Sequence, residues 1–221
     1  MKNRDVYARR RAEMVEKQLV GRGITDERVL KAMGEIPRHK FLEEALRERS
    51  YGDYPIPIGE KQTISQPYMV AIMSEMLNLT GSEKVLEIGS GSGYQTAVLS
   101  KLAAQVYSVE RIPRLLMKAR QTLEEIDIHN VALKIADGTL GWKDYAPYDA
   151  ILVTAGAPEV PKALLDQLAM GGRMVLPVGD EERQVLHKIV KTKFGIRESI
   201  HTQCSFVKLI GQFGWKEAPV E

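Results

Sequence analysis

Seven consecutive residues, Glu87-Ile88-Gly89-Ser90-Gly91-Ser92-Gly93, form the first pattern able to do chemistry. The run Lys84 to Ile88 reads as a strand and Tyr94 to Ala103 as a helix, so the glycines lie where a strand turns into a helix. Glycines at such a turn let the backbone approach a ligand closely, and the helix start offers unpaired N–H groups. A tight connection that binds nothing has the same composition. Two further carboxylates stand at matching places. Glu110 ends the next strand, in Val106-Tyr107-Ser108-Val109-Glu110-Arg111, where it can accept from both hydroxyls of a ribose or act as a surface cap or ion-pair partner. Asp137-Gly138 follows a third strand, at the edge where open α/β sheets bind ligands. Its carboxylate can accept from an adenine amino group, or the dipeptide can be an ordinary turn.

The glycine spacing narrows the ligand. A dinucleotide fingerprint is G-x-G-x-x-G, whereas this chain has G-x-G-x-G. Glu87 precedes the first glycine by two places and would repel a pyrophosphate. S-adenosylmethionine carries no phosphate. It carries an ammonium and a sulfonium, which a nearby carboxylate tolerates or attracts. The expected cofactor is therefore S-adenosylmethionine, with S-adenosylhomocysteine as its product. An NAD-dependent oxidoreductase is the rival that the spacing disfavours, since Glu110 suits either ligand. A non-catalytic module that merely keeps the fold is a further alternative.

The elements that must hold these residues fall into three regions of one domain. Residues 1–80 read as mostly helical and carry the active-site and substrate loop. Val6, Met14, Val15 and Leu19 lie along a charged helix that ends near Gly21 and Gly23. Thr25 is the expected cap of a second helix, which Pro37 follows, and a short helix is expected over Phe41 to Arg49. Tyr51 to Gly59 holds two prolines and two glycines and reads as an ordered loop. Beyond it, Met69, Ile72, Met73, Met76 and Leu77 recur at helical spacing behind Pro67, with Ser65 as a candidate N-cap. Residues 81–180 alternate strand and helix. The strands are Lys84 to Ile88, Gln105 to Glu110, Val131 to Ile135, Ala150 to Thr154 and Arg173 to Val178. The helices include Ile112 to Ile126 and Pro158 to Ala169. Such alternation predicts a doubly wound, mostly parallel Rossmann-like α/β sheet with helices on both faces. Residues 181–221 supply two further strands, Gln184 to Thr192 and Cys204 to Ile210. They are expected to pair antiparallel at the sheet edge and complete the substrate pocket.

Three acidic positions in register with the glycine loop resemble the class I methyltransferases over roughly residues 81–180. Other segments extend the likeness across most of the chain: Ile36-Pro37-Arg38, Gln62-Thr63-Ile64-Ser65-Gln66-Pro67-Tyr68-Met69, Thr154-Ala155-Gly156-Ala157-Pro158 and Phe206-Val207-Lys208-Leu209-Ile210-Gly211. Together they resemble the protein-L-isoaspartate (D-aspartate) O-methyltransferases. Many members read Ala-Pro-His where this chain has Gln66-Pro67-Tyr68, and Pro in place of Lys208, so fine substrate preference is open. The resemblance implies methylation of the free carboxylate of L-isoaspartyl residues in damaged proteins, with tolerance for D-aspartyl residues left open. The ester then collapses to a succinimide that reopens partly to aspartate. It implies Ser65 as the catalytic serine, acting by orientation. It implies Gln62, Thr63, Ile64, Glu87, Gly89, Ser90, Gly91, Glu110, Arg111, Asp137, Gly138 and Thr154 around the cofactor. Ile58, Gly59, Ser65, Phe206 and Val207 would flank the substrate. Another methyltransferase substrate, RNA or a small molecule, is the alternative within the class.

Composition excludes several other functions. Lys and Arg number 31 against 29 Asp and Glu, a net charge of +2, so nothing draws the chain strongly to nucleic acid. The one cysteine, Cys204, makes no intrachain disulfide and no cysteine-based zinc site, and in its apolar run it reads as a buried small residue. No metal is expected. Residues 1–11 are charged with no apolar segment behind them, and no apolar run spans a membrane, so a soluble, monomeric, cytoplasmic protein is expected.

Overall fold

The computed structural model describes residues 2–217. Seven strands form one sheet: β3 (Lys84–Ile88), β4 (Gln105–Glu110), β5 (Val131–Ile135), β6 (Tyr148–Val153), β7 (Leu168–Gly179), β8 (Gln184–Thr192) and β9 (Gly195–Cys204). Their spatial order is β5-β4-β3-β6-β7-β8-β9, parallel from β5 through β7 and antiparallel from β7 to β9. The order reverses between β3, which pairs with β4 on one side, and β6 on the other. An open sheet has its ligand crevice at such a point, beyond the strands' carboxyl ends.

Alternate residues of the central strands feed two separate cores. Val85, Val106, Ala150 and Leu152 pack into one, with the N-terminal helices, α3 (Pro67–Met76) and α4 (Tyr94–Leu102). Leu86, Ile88, Ile151 and Val153 pack into the other, with Leu164 of α6 (Lys162–Gln167). Period-two alternation with both faces apolar is what a sheet covered on both sides requires.

The N-terminal lobe departs from expectation in detail. Helix α1 (Lys2–Glu13) runs into a π-helical turn, Met14–Leu19, and stops at Gly23, whose φ is +89°. Helix α2 (Glu27–Glu35) is capped by Asp26, which accepts from the N–H groups of Arg28 and Val29, and not by Thr25. The amides of Thr25 and Asp26 instead both donate to the Glu75 carboxylate at 2.7 Å, which ties this corner to α3. Two 3₁₀ turns, Arg38–Phe41 and Glu44–Arg49, stand where one short helix was expected. The loop from Tyr51 ends in β1 (Ile56–Gly59), which pairs antiparallel with β2 (Gln62–Ile64).

The C-terminal region corrects the sequence more sharply. The strand beside β8 is Gly195–Cys204, not Cys204 to Ile210. Nine of its ten residues are exposed, so no buried face leaves an apolar alternation to read. Residues 206–210 return to the sheet's centre, where Gly156 donates to the Val207 carbonyl and Leu209 to the Gly156 carbonyl, both at 2.8 Å. Helix α6 is shorter than the predicted Pro158 to Ala169, because Ala157 remains extended and its N–H bonds to Pro177 of β7. Among the described residues no helix is long and apolar enough to cross a membrane.

Asp26→Ala is expected to cost about 1 kcal/mol, the usual value of an N-cap. Thr25→Ala should change stability by roughly half that or less, since its amide contact survives. Urea unfolding of the two variants, compared with the parent, ranks the caps. Equal losses would refute the assignment of Asp26.

Candidate active site

The glycine turn after β3 is held by carboxylates on two strands. Glu110, at the end of β4, accepts the Gly91 N–H on one oxygen and the Ile112 N–H on the other, both at 2.9 Å. Each oxygen keeps a free lone-pair direction. Glu87 is fully buried below the loop. One of its oxygens accepts from the hydroxyls of Thr96 and Ser108, and the Ser90 hydroxyl lies 2.6 Å from that of Ser108. With the Ser108 proton committed to Glu87, Ser90 is the donor in this pair. The relay Ser90 to Ser108 to Glu87 thus anchors the loop from beneath. Glu87 therefore does not line the cavity above the loop, where its charge was expected to meet an ammonium. Its other oxygen is buried and has no hydrogen-bond partner among the described residues. Burial pushes its carboxyl up to about 7, opposed by the two hydroxyl bonds, with the nearby Glu110 charge adding to the rise.

The glycines differ in what requires them. A Cβ on Gly89 would lie 2.5 Å from the Thr154 hydroxyl, and one on Gly93 would lie 3.0 Å from the Ala119 Cβ. Both have φ near +90°. These two are dictated by the protein's own packing. At Gly91 the nearest atom is a side-chain methyl of Ile58, 3.5 Å away, so its neighbours do not exclude a side chain. The bare backbone there borders the cavity. Such a cradle, with Glu110 beside it offering free lone pairs, fits the ribose and amino-acid portions of S-adenosylmethionine.

The cavity brings together most of the residues singled out in the sequence. Gln62, Thr63, Ile64 and Ser65 form one wall; Gly89, Ser90 and Gly91 the floor. Glu110, Arg111, Gly138, Thr154 and Val207 complete it. Thr154 bonds through its hydroxyl to the Gly89 carbonyl at 2.6 Å, joining the end of β6 to the loop. Arg111 is exposed and paired with Glu217 at 3.0 Å.

Several residues fall outside the cavity. Asp137 caps the turn that follows it, accepting from the Thr139 N–H and hydroxyl on one oxygen, and takes the Gln212 N–H on the other. It fixes Gly138 in the wall, while its own carboxylate is engaged by the chain. Ile58 lines a second cavity, which meets the first at Gly91 and Ser92. Gly59 is exposed on the β1–β2 hairpin, and Phe206 packs against the N-terminal core.

Sequence reading missed Val70, Tyr94, Gln95, Ile112, Ala155 and the return of Lys208 to Ile210, all of which border the cavity. Tyr94 and Gln95 directly follow the last glycine, which was the available signal. Ser65 was expected to share its hydroxyl with helix capping. The N-cap of α3 is Gln66, with no side-chain cap bond, and among the described residues the Ser65 hydroxyl makes no hydrogen bond. Cys204 lies outside the cavity, and burial pushes its thiol up to about 11, far from thiolate chemistry.

Fold and cavity together define a class I S-adenosylmethionine-dependent methyltransferase. The profile described as Protein-L-isoaspartate(D-aspartate) O-methyltransferase matches residues 9–214, so the chain belongs to that family. It is 54% identical to the protein-L-isoaspartate O-methyltransferase of Desulfosudis oleivorans over 98% of this chain and 99% of that one. It is 58% identical to that of Geobacter metallireducens, over 93% and 95% respectively. A solved protein-L-isoaspartate O-methyltransferase superimposes with a TM-score of 0.83 at 32% identity, covering 92% of this chain and 67% of its own. A Plasmodium falciparum structure described under the same activity, in complex with S-adenosyl-L-homocysteine, gives 0.79 at 28% identity, covering 90% and 98%.

Two outcomes are expected. Gly91→Val, a branched side chain at φ +51°, should weaken S-adenosylhomocysteine binding by about 5- to 150-fold, the span that overpacking by about 1–3 kcal/mol implies. Calorimetry giving wild-type affinity would displace the cofactor from this cradle. The second concerns Glu87. Its folded-state pKa is raised, so its contribution to stability is fully present below about pH 4.5 and is lost as pH rises through about 7. Relative to Glu87→Gln, which cannot ionise, the parent should lose about 3 kcal/mol across that window. Urea unfolding of both proteins at pH 5 and pH 8 measures the difference. A pH-independent gap would show that Glu87 ionises normally in the fold.

Proposed function

We propose that the chain transfers the methyl group of S-adenosylmethionine to the free carboxylate of L-isoaspartyl residues in damaged proteins and peptides, with Ser65 orienting that carboxylate. The observation that carries the role of Ser65 is that it lines the same cavity as the glycine loop while its hydroxyl is spent on no helix cap and, among the described residues, on no other hydrogen bond. Residues 1–80 are read as the acceptor side, 81–180 as the cofactor side, and 181–221 as the closing wall.

When bound, the cofactor supplies an electrophilic methyl group on sulfur. The acceptor carboxyl, with an ordinary pKa near about 4, is already ionised at neutral pH and needs no general base. What remains for the protein is placement and exclusion of water. Gly91 and Glu110 would hold the cofactor's sugar and amino-acid portions, and Gly138 and Ile112 would border the adenine. Ser65 would donate one hydrogen bond to the acceptor carboxylate, holding one oxygen toward the methyl. Val70, Tyr94 and Ile64 are apolar bodies in the same wall and keep the reacting groups dry. Methylation gives the carbonyl a methoxide that can leave, which a carboxylate lacks. The following backbone nitrogen then attacks the ester carbonyl, the C–OCH3 bond breaks, the nitrogen's proton leaves with the methoxide as methanol, and a succinimide closes.

Discrimination of isoaspartyl from aspartyl units means reading the main chain, which in the isomer runs through the side-chain carbon. The Phe206 N–H is taken by the Gln184 side chain and the Val207 carbonyl by Gly156. Strand-like pairing with a peptide is therefore left to the Phe206 carbonyl and the Val207 N–H, with Ile58 and Gly59 on the facing side.

The test is methylation of an isoaspartyl peptide beside its aspartyl twin, with parent and Ser65→Ala. The parent should methylate only the isoaspartyl peptide; equal labelling of both would remove the substrate assignment. Ser65→Ala should lose about one to two decades in turnover, the worth of one hydrogen bond to a charged group. Its affinity for S-adenosylhomocysteine and its melting temperature should stay near the parent's, since no cap is lost. Unchanged turnover would take Ser65 out of the mechanism.

A further inference from the structure

Arg38 is among the largest fully buried side chains of the described residues, with no exposed surface. Among the described residues no carboxylate lies within ion-pair distance of it. Its Nε donates to the Ser50 carbonyl and one terminal nitrogen donates to the Ser65 carbonyl, each at 2.7 Å. The other terminal nitrogen is buried and has no hydrogen-bond partner among the described residues. The guanidinium carbon lies 4.8 Å from the ring centre of Tyr94, which opens α4 directly after the glycine loop and borders the cavity. Burial lowers its pKa from the ordinary value, with the Tyr94 and Tyr51 side chains opposing that shift.

The Asp53 charge favours the guanidinium only from beyond ion-pair distance. Taking an arginine out of water without a contacting carboxylate is costly, and an apolar residue of similar volume fills such a site at less cost. Core packing therefore does not account for an arginine here. What the planar fork does, and no apolar side chain can, is hold two carbonyls from separate segments at once. One of them belongs to Ser65. Because β2 ends at Ile64 and α3 begins at Pro67, Ser65 sits in a connection with no ladder or helix bond of its own to fix it. Gln66 adds one tie, through its side chain to the Asp53 carbonyl at 3.0 Å.

We infer that Arg38 is the positioning residue of the acceptor half of the site: its buried guanidinium clamps the Ser65 carbonyl, and so aims the Ser65 hydroxyl across the cavity while bracing the wall at Tyr94. The inference rests on the reading of Ser65 as the group that orients the acceptor carboxylate. Arg38 touches neither substrate nor cofactor and acts through Ser65.

The experiment is a double-mutant cycle. Arg38→Lys keeps the charge but loses the fork, and Arg38→Met keeps the volume but loses both donors. Each is made in the parent and in the Ser65→Ala background. Turnover and KM for an isoaspartyl peptide, and calorimetric affinity for S-adenosylhomocysteine, are measured in all six proteins. Both single variants should lose about tenfold or more in turnover, the scale of one hydrogen bond, with cofactor affinity nearly unchanged. Most of that loss should vanish in the Ser65→Ala background, as coupled residues require. Equal losses in both backgrounds, with Ser65→Ala itself impaired, would overturn the inference while leaving the role of Ser65 standing. Parental turnover in both Arg38 variants would overturn it as well. Failure of both variants to fold, or loss of cofactor affinity in step with turnover, would make Arg38 a core residue and overturn it too. Parental turnover in Ser65→Ala alone would instead sink the reading of Ser65, and the inference with it.

Discussion

The Gly91 N–H points at the Glu110 carboxylate across 2.9 Å, and the position of the whole cavity follows from that bond. It joins the turn after β3 to the end of β4, so the floor of the cavity is fastened to the neighbouring strand. Parallel register makes this possible. Glu87 and Ser108 are cross-strand partners and so share a face of the sheet. Their side chains meet under the loop, where Ser90 closes the relay. Two acidic residues that look alike in the sequence thus divide the work. One is buried and braces the loop from beneath; the other stands at the rim with lone pairs to spare.

The wall that carries Ser65 is built differently. Among the described residues no strand of the seven-stranded sheet hydrogen-bonds to Ser65, which belongs to a short connection between the β1–β2 hairpin and α3. Its place is set by the N-terminal lobe, whose helices share one apolar core with α3 and α4. Arg38 spans the seam between that lobe and the connection. The site is therefore a crevice between a rigid sheet edge and a packed helical cap, closed along one side by residues 206–210 returning to pair with Gly156.

How much of this was legible in the sequence depends on whether the controlling interaction is local. The parallel strands, their helices and the glycine loop are local patterns, and their residues lie where periodicity put them. The far antiparallel strand is not such a pattern. Gly195–Cys204 is exposed along nearly its whole length, so it carries no apolar alternation, while the more apolar stretch after it drew the assignment. The helix caps misled for a related reason. Thr25 and Asp26 are both good capping residues, and the choice between them came from Glu75, about fifty residues away, which binds both of their amides.

By itself the sequence determined the doubly wound core, the glycine turn and the positions of the acidic residues at the strand ends, because spacing and residue type suffice for each; the Thr63-Ile64-Ser65 element was marked out by its resemblance to the family. The direction in which a polar side chain is spent was decided only by the tertiary structure. Asp137 serves the turn after it and the Gln212 N–H; Ser65 is released from capping; Arg38 is buried between two carbonyls. A carboxylate, hydroxyl or guanidinium bonds to whichever donor or acceptor the fold brings within about 3 Å, and that partner is distant in the chain.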